Sequence, residues 1–194
     1  MSATSAPFGL RPAYHPSGLD RAQALAGGIA SAYSSAILKG QAVKYNPSVG
    51  TIVPVTGTEA FSGAFDGVEW TDTTGRRRVS NYWPANTAYI AGSCVAYFYN
   101  DTNIVYEIQA DGSIAQTALG NEANLTTANL ANGSTTTGLS QATLSTSLVG
   151  NTTQGQMRIV DLAPYTDNAW GDAYTIVRCV VAYSQFFGAF TAIA

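Results

Sequence analysis

The sequence predicts an all-β chain, and three observations carry that prediction. Apolar runs of roughly 4–8 residues, rich in Val, Ile, Tyr, Phe and Thr, recur along the chain as half-buried strands do. Turn signals separate them: Asn46-Pro47, Thr73-Thr74-Gly75, Asp111-Gly112 and Asn168–Asp172. A helical pattern occurs in one place only, residues 20–36. With about eight short strands expected, the architecture is a single small β-barrel or sandwich. It divides into an extended N-terminal arm over residues 1–36 and a β-rich core over 37–194.

Taken in order, residues 1–20 read as extended chain. Pro7, Pro12 and Pro16, with Gly9 and Gly18, forbid a regular helix and remove ladder donors. Phe8, Leu10 and Tyr14 are apolar anchors along this arm, which lies in a groove of its own domain or of a neighbouring subunit. Residues 20–36 form a short helix capped by Asp20, irregular chain, or two short extended pieces against a sheet. Gly27 and Gly28 weaken the helix by about 1 kcal/mol each. Strands follow at Ile37–Val43 and Thr51–Val55. In residues 59–72, Phe61, Phe65, Val68 and Trp70 supply the apolar positions, and Gly67 suits a bulge or close approach. After the Thr73–Gly75 turn come Arg76–Arg78, then Val79, Tyr82 and Trp83, then a turn at Pro84–Asn86. Ser93–Tyr99 and Ile104–Gln109 pair through a hairpin at Asn100–Asn103. The first is apolar on both faces, which predicts a central or doubly covered strand. Residues 120–150 are rich in Thr, Ser, Asn and Gly. The recurrence of Leu125, Leu130, Leu139, Leu144 and Leu148 predicts a long ordered loop with short strands. Gln156–Leu162 and Tyr174–Tyr183 are the last strands. The apolar terminus, with Phe186, Phe187 and Phe190, completes a sheet or meets another subunit.

Length and composition set outer bounds. At 194 residues the chain is one domain long and buries roughly 70% of its unfolded surface. Only 11% of residues are charged and the net charge is -3, which argues against nonspecific binding along a nucleic-acid backbone. Cys94 and Cys179 both sit in apolar runs, so they are buried thiols or one disulfide, and the sequence leaves both open. The start lacks the basic and apolar regions of a signal peptide, and no run approaches the roughly 20 apolar residues of a spanning helix. The expectation is synthesis in a cytoplasm, with no membrane partner.

Residue types that carry chemistry are sparse. His15 stands between Tyr14 and Pro16, and no nucleophile motif accompanies it. Glu69 with Asp72, and Asp161 with Asp167, are the carboxylate pairs a glycosidase would need, but Asp72 and Asp167 sit in turns that favour Asp for its own backbone bonds. Asp66, Glu69 and Asp72 are oxygen ligands without a metal-loop spacing, and no phosphate-cradling glycine loop exists. The expectation is no enzyme activity, no cofactor, no metal and no small-molecule substrate. Arg76–Arg78 is the one charge concentration. Alternation places Arg76 and Arg78 on one face, where arginine forks pair with carboxylates of a neighbouring protein. Stacking of nucleic acid on Tyr82 and Trp83 is the weaker alternative on so acidic a chain.

The block FSGAFDGVEWTDTTGRRRVSNYWPANTAY, the strand GSCVAYFYND, and the later GSTTTGLSQATLSTS and RIVDLAPYTDNAWGDAYT resemble small virion proteins of tailed bacteriophages, the head decoration or cement proteins. The likeness spans about residues 11–186 by overall texture. It implies a β-barrel-like or β-tulip module with an N-terminal arm, bound to the outside of an expanded capsid as a homotrimer or dimer. The implied partners are the major capsid protein and further copies of the chain, and the implied location is the virion surface. No catalytic residues come with the resemblance. Arg76, Arg78, Tyr82 and Trp83 come with it as contact positions. Phe8, Leu10, Tyr14, Phe186, Phe187 and Phe190 complete the expected protein interface. The alternatives are another virion component of the tail, neck or minor capsid, or a carbohydrate-binding adhesin-like module marked by exposed Trp70, Trp83 or Trp170.

Overall fold

The computed structural model describes residues 2–18, 23–150 and 152–186. Its strands in chain order are β1 (Arg11–Tyr14), β2 (Gln23–Ala26), β3 (Ala42–Asn46), β4 (Thr51–Pro54), β5 (Gly63–Thr71), β6 (Arg77–Ser80) and β7 (Val95–Tyr99). They continue as β8 (Val105–Gln109), β9 (Glu122–Leu125), β10 (Gly133–Ser134), β11 (Leu139–Ser140), β12 (Leu144–Leu148), β13 (Met157–Leu162) and β14 (Ile176–Val181). One antiparallel sheet runs β1-β8-β14-β13-β9-β12. A second runs β2-β7-β5-β3-β4, with β6 on the far part of β5, and β10 with β11 makes a separate two-stranded ribbon. Both sheets stay open, so of the two architectures the sequence allowed, the sandwich is the one formed.

The pleat explains the layering. Successive residues of a strand face opposite ways, and the second sheet is apolar both ways. Ala42 and Ala64 join Tyr106, Ile108, Met157, Ile159, Val177 and Cys179 in a core between the sheets. Val43, Phe65, Val68, Trp70, Ala96 and Phe98 make a second core on the other face, roofed by Ile29, Ile37, Trp83 and Cys94 from the loops. The second sheet is therefore the middle layer. The two cysteines lie in different cores, both as free thiols.

β5 is the axis of that middle layer. β7 pairs along residues 64–69, while β3 takes positions 63–64 and β6 takes 68–71. The register with β7 shifts between Phe65 and Gly67, a bulge at the glycine the sequence marked. At Gly63 a β-carbon would stand 1.5 Å from the Tyr99 carbonyl oxygen, so only glycine allows the two backbones to meet there.

The outer segments are strapped onto this sandwich. Over the described residues 23–36 there is no helix; Gln23–Ala26 pairs with β7 instead. The helical alternative is thus corrected. Gly27 takes φ 66° and donates to the Cys94 carbonyl, a conformation that ends any helix there. Asp20 lies outside the described residues. Residues 2–14 lie along their own domain. The Ser2 carbonyl accepts from Tyr174 N, and Gln109 spans the backbone of Thr4 and Ala6. Leu10 N donates to the Gly40 carbonyl before β1 pairs with β8.

In residues 120–150, β9 to β12 and a 3-10 turn at Thr127–Asn129 make the excursion ordered. Leu125, Leu130 and Leu144 anchor it, whereas Leu139 and Leu148 are exposed. At the other end, Ser184 bridges to Phe61, and the Gln185 amide bonds both the N–H and the carbonyl of Tyr45. This side chain imitates one more rung of the ladder on β3.

Candidate protein interface

The β5–β6 hairpin is set by one aspartate. Asp72 Oδ1 accepts from the backbone N–H of Thr74 and of Arg76, at 3.0 Å each, and from the Thr74 hydroxyl at 2.6 Å. Gly75, at φ 85°, donates back to the Asp72 carbonyl. The DTTG run is therefore a self-bonded turn. These bonds, with Arg78 Nε donating to Oδ2 at 2.9 Å, hold the Asp72 carboxyl far below the usual range. On the opposite face Arg77 pairs with Glu69, whose pKa is lowered first by that hydrogen bond. Arg76 is exposed and makes no ion pair among the described residues.

β6 stands at the edge. Arg77, Arg78 and Val79 are all exposed, Val79 at 72%. Beneath them the shoulder is rigid. Trp70 packs edge-to-face on Trp83 at 5.5 Å, and Trp83 on Tyr89 at 6.0 Å. Such aromatic contacts add about 0.5–1.5 kcal/mol each beyond burial. The hairpin is thus a charged edge on a stiff apolar foundation.

The residues expected at an interface divide among several places. Arg76 and Arg78 are on the exposed shoulder, with Tyr82 half-buried beside them. Trp83 is 0% exposed and Leu10 is 1% exposed, so both are core residues and are withdrawn as contact positions. Their size explains it: the loop layer needs a large plug over β5, and the first sheet needs one at its β1 edge. Phe8 is half-buried under the Arg11 guanidinium, and exposed Tyr14 stacks with Arg178. Phe186 is half-exposed against Tyr45, on the other sheet. Phe187 and Phe190 lie outside the described residues. No single patch gathers the described members of the set.

Sequence reasoning missed a charge ladder across the first sheet. Arg11, Glu107, Arg178 and Asp161 stand side by side in register on β1, β8, β14 and β13. Glu107 accepts from Arg11 at 2.7 Å, from Arg178 at 3.3 Å and from the Tyr165 hydroxyl at 2.5 Å. Burial pushes the Glu107 pKa up, but these donors outweigh it and hold the pKa low. The signal was present in VYEIQ and IVRCVV: a lone charge within an apolar strand demands a partner. A second such pair joins Arg158 to fully buried Glu122 at 2.7 Å, with the Gly155 N–H also donating to Glu122. Arg158 lines a cleft of about 310 Å³ with Thr102, Asn103 and Ser184.

The other chemical candidates resolve into local fastening. His15 faces Asp101 at 3.1 Å on one side and the Ser17 hydroxyl at 2.6 Å on the other. The same ring nitrogen that meets the hydroxyl also accepts the Ser17 N–H, so the group closes its own turn onto the loop that carries the chain from β7 in one sheet to β8 in the other. Asp66 is engaged by Lys39 at 2.7 Å, and Glu69 and Asp72 by arginines. Among the described residues no group of three or more His, Cys, Asp and Glu is placed to hold a metal ion.

Comparison with protein-family models, with curated proteins and with solved structures finds no match.

Proposed function

We propose that this chain is a structural virion protein that binds the outer surface of a tailed-phage capsid and holds neighbouring capsomers together. The observation that carries the reading is the β6 shoulder. It presents Arg76, Arg77 and Arg78 beside an exposed valine on a base of packed tryptophans. Binding surfaces gain when their anchors are already rigid, because less conformational freedom is lost on contact. Arginine is also the charged residue enriched at protein interfaces. Segment-wise resemblance to head decoration proteins, described above, supports the same reading. A lattice of repeated sites then multiplies modest contacts by effective concentration.

The glycan-binding alternative receives no support from its own marker. Trp70 and Trp83 are buried, and Trp170 packs partly against the inter-sheet core. The test is co-sedimentation of the purified protein with expanded heads that lack it. Saturable binding with a fixed ratio to capsomers supports the reading, and failure to sediment with heads refutes it.

A further inference from the structure

We propose that the outer edge of β6 receives an extended, carboxylate-bearing segment of a partner protein as an added strand. This deepens the interface reading above and rests on it for the class of partner.

The direction of the backbone groups follows from the hairpin. Asp72 N donates to the Arg76 carbonyl, so positions 72 and 76 face each other across the hydrogen-bonded side of the ladder. Antiparallel pairing alternates. Arg78 opposite Trp70, and Ser80 opposite Val68, therefore also turn their backbone groups toward β5. Arg77 and Val79 turn theirs away. The other side of β5 confirms the phase, because Thr71 N–H donates to Ser93 Oγ and the Thr71 carbonyl accepts from Ile90, both away from β6. Arg77 and Val79 thus present two N–H groups and two carbonyls to solvent, a ready template for another strand.

Side-chain chemistry selects what is admitted. Three consecutive arginines flank this edge and repel a basic strand. Arg77 gives a terminal nitrogen to Glu69, and Arg78 gives Nε to Asp72. A guanidinium has five N–H donors, so each keeps donors for a second carboxylate. Their side chains remain 71% and 51% exposed. A second copy of this chain does not fit through its own free edges. β1 (RPAY), β2 (QALA), β4 (TIVP) and β12 (LSTSL) carry no carboxylate. The occupant is a different protein whose strand alternates acidic and apolar residues, so that its carboxylates meet Arg76 and Arg78 on one face and its apolar side chains cover Val79 on the other.

The test titrates the full chain with a short synthetic peptide of alternating Glu and Val, following amide exchange by NMR. The expected result is at least about tenfold slower exchange at Arg77 and Val79 on binding. The same peptide N-methylated at alternate residues, and a Lys-for-Glu version, should each bind at least about tenfold more weakly. Using altered peptides leaves the protein intact, so no folding defect can mimic the result. Protection that is absent or lies elsewhere overturns the proposal. So does equal binding of the methylated or the lysine peptide. If heads bind the protein but no peptide is captured, strand addition fails while the capsid reading survives. If the peptide is captured but heads are not bound, the capsid reading fails alone.

Discussion

Glu107 is the residue whose chemistry most clearly holds the chain's first strand in place. Its carboxylate joins β1 to β14 and accepts the Tyr165 hydroxyl. Glu107→Gln keeps the shape but removes the charge between two arginines. We expect a loss of about 2 kcal/mol, because Arg11 is half-exposed and can rehydrate while Arg178 is mostly buried. Chemical denaturation measures it, and faster amide exchange at Arg11–Tyr14 localises it to β1. Glu107 and three carboxylates outside the ladder also set a pH dependence. Glu107, Asp101 and Asp72 are all held below their ordinary pKa values, and Glu59 is held at about 2. At Glu59 burial works upward, but Lys44 and the Thr56 N–H outweigh it. Groups with depressed folded pKa values stabilise the fold above their unfolded pKa, near 4, and that contribution disappears as pH falls through the folded values. Thermal melts should therefore be flat on the neutral side of about pH 5 and drop steadily from about pH 4 toward 2. A melting temperature that rises over that acid range would contradict these assignments.

At the scale of elements, β5 and its two neighbours decide the middle layer. Gly63→Ala places a β-carbon into the Tyr99 carbonyl. The strands must separate there, and we expect a loss of about 3 kcal/mol or more, or no soluble protein. Prolines on β6 give a paired test of its phase. Val79→Pro removes an N–H that faces solvent, and melting should change by less than about 1 kcal/mol. Ser80→Pro removes one that bonds β5 and should cost about 3 kcal/mol or more. A larger loss for Val79→Pro than for Ser80→Pro would mean the ladder phase is inverted.

Much at this scale was legible in the sequence. The DTTG turn, the glycine bulge at 67 and the leucine anchors at 125, 130 and 144 follow from local chemistry. The expected Asn100–Asn103 hairpin, in contrast, is corrected: β7 pairs with β2 and β5, β8 with β1 and β14, and residues 100–103 cross from one sheet to the other. What was not legible depends on long-range pairing. The fully buried β8 looks no more apolar than β7, and its Glu107 gave no sign of which arginines would meet it. Nor did any local feature reveal that Trp83, beside an arginine run, turns inward to plug a loop layer.

For the whole molecule, two cores and an edge hairpin divide the labour. The inter-sheet core and the loop-roofed core make the sandwich stiff, and β6 stands outside both. Stability and binding should accordingly separate. Trp83→Ala opens the roofed core and should cost about 3–5 kcal/mol. Arg76→Ala with Arg78→Ala should leave the melting temperature within a few degrees while weakening attachment to heads at least about tenfold. Arg78 does brace the turn through Asp72, but that ion pair is solvent-accessible. The central claim is met most directly by one measurement: gradient-purify particles from cells that make the protein and quantify it in the particle fraction. The account predicts its presence on intact heads, in fixed proportion to the capsomers and exposed to protease from outside. Its absence from purified particles, or its confinement to their interior, would contradict the account.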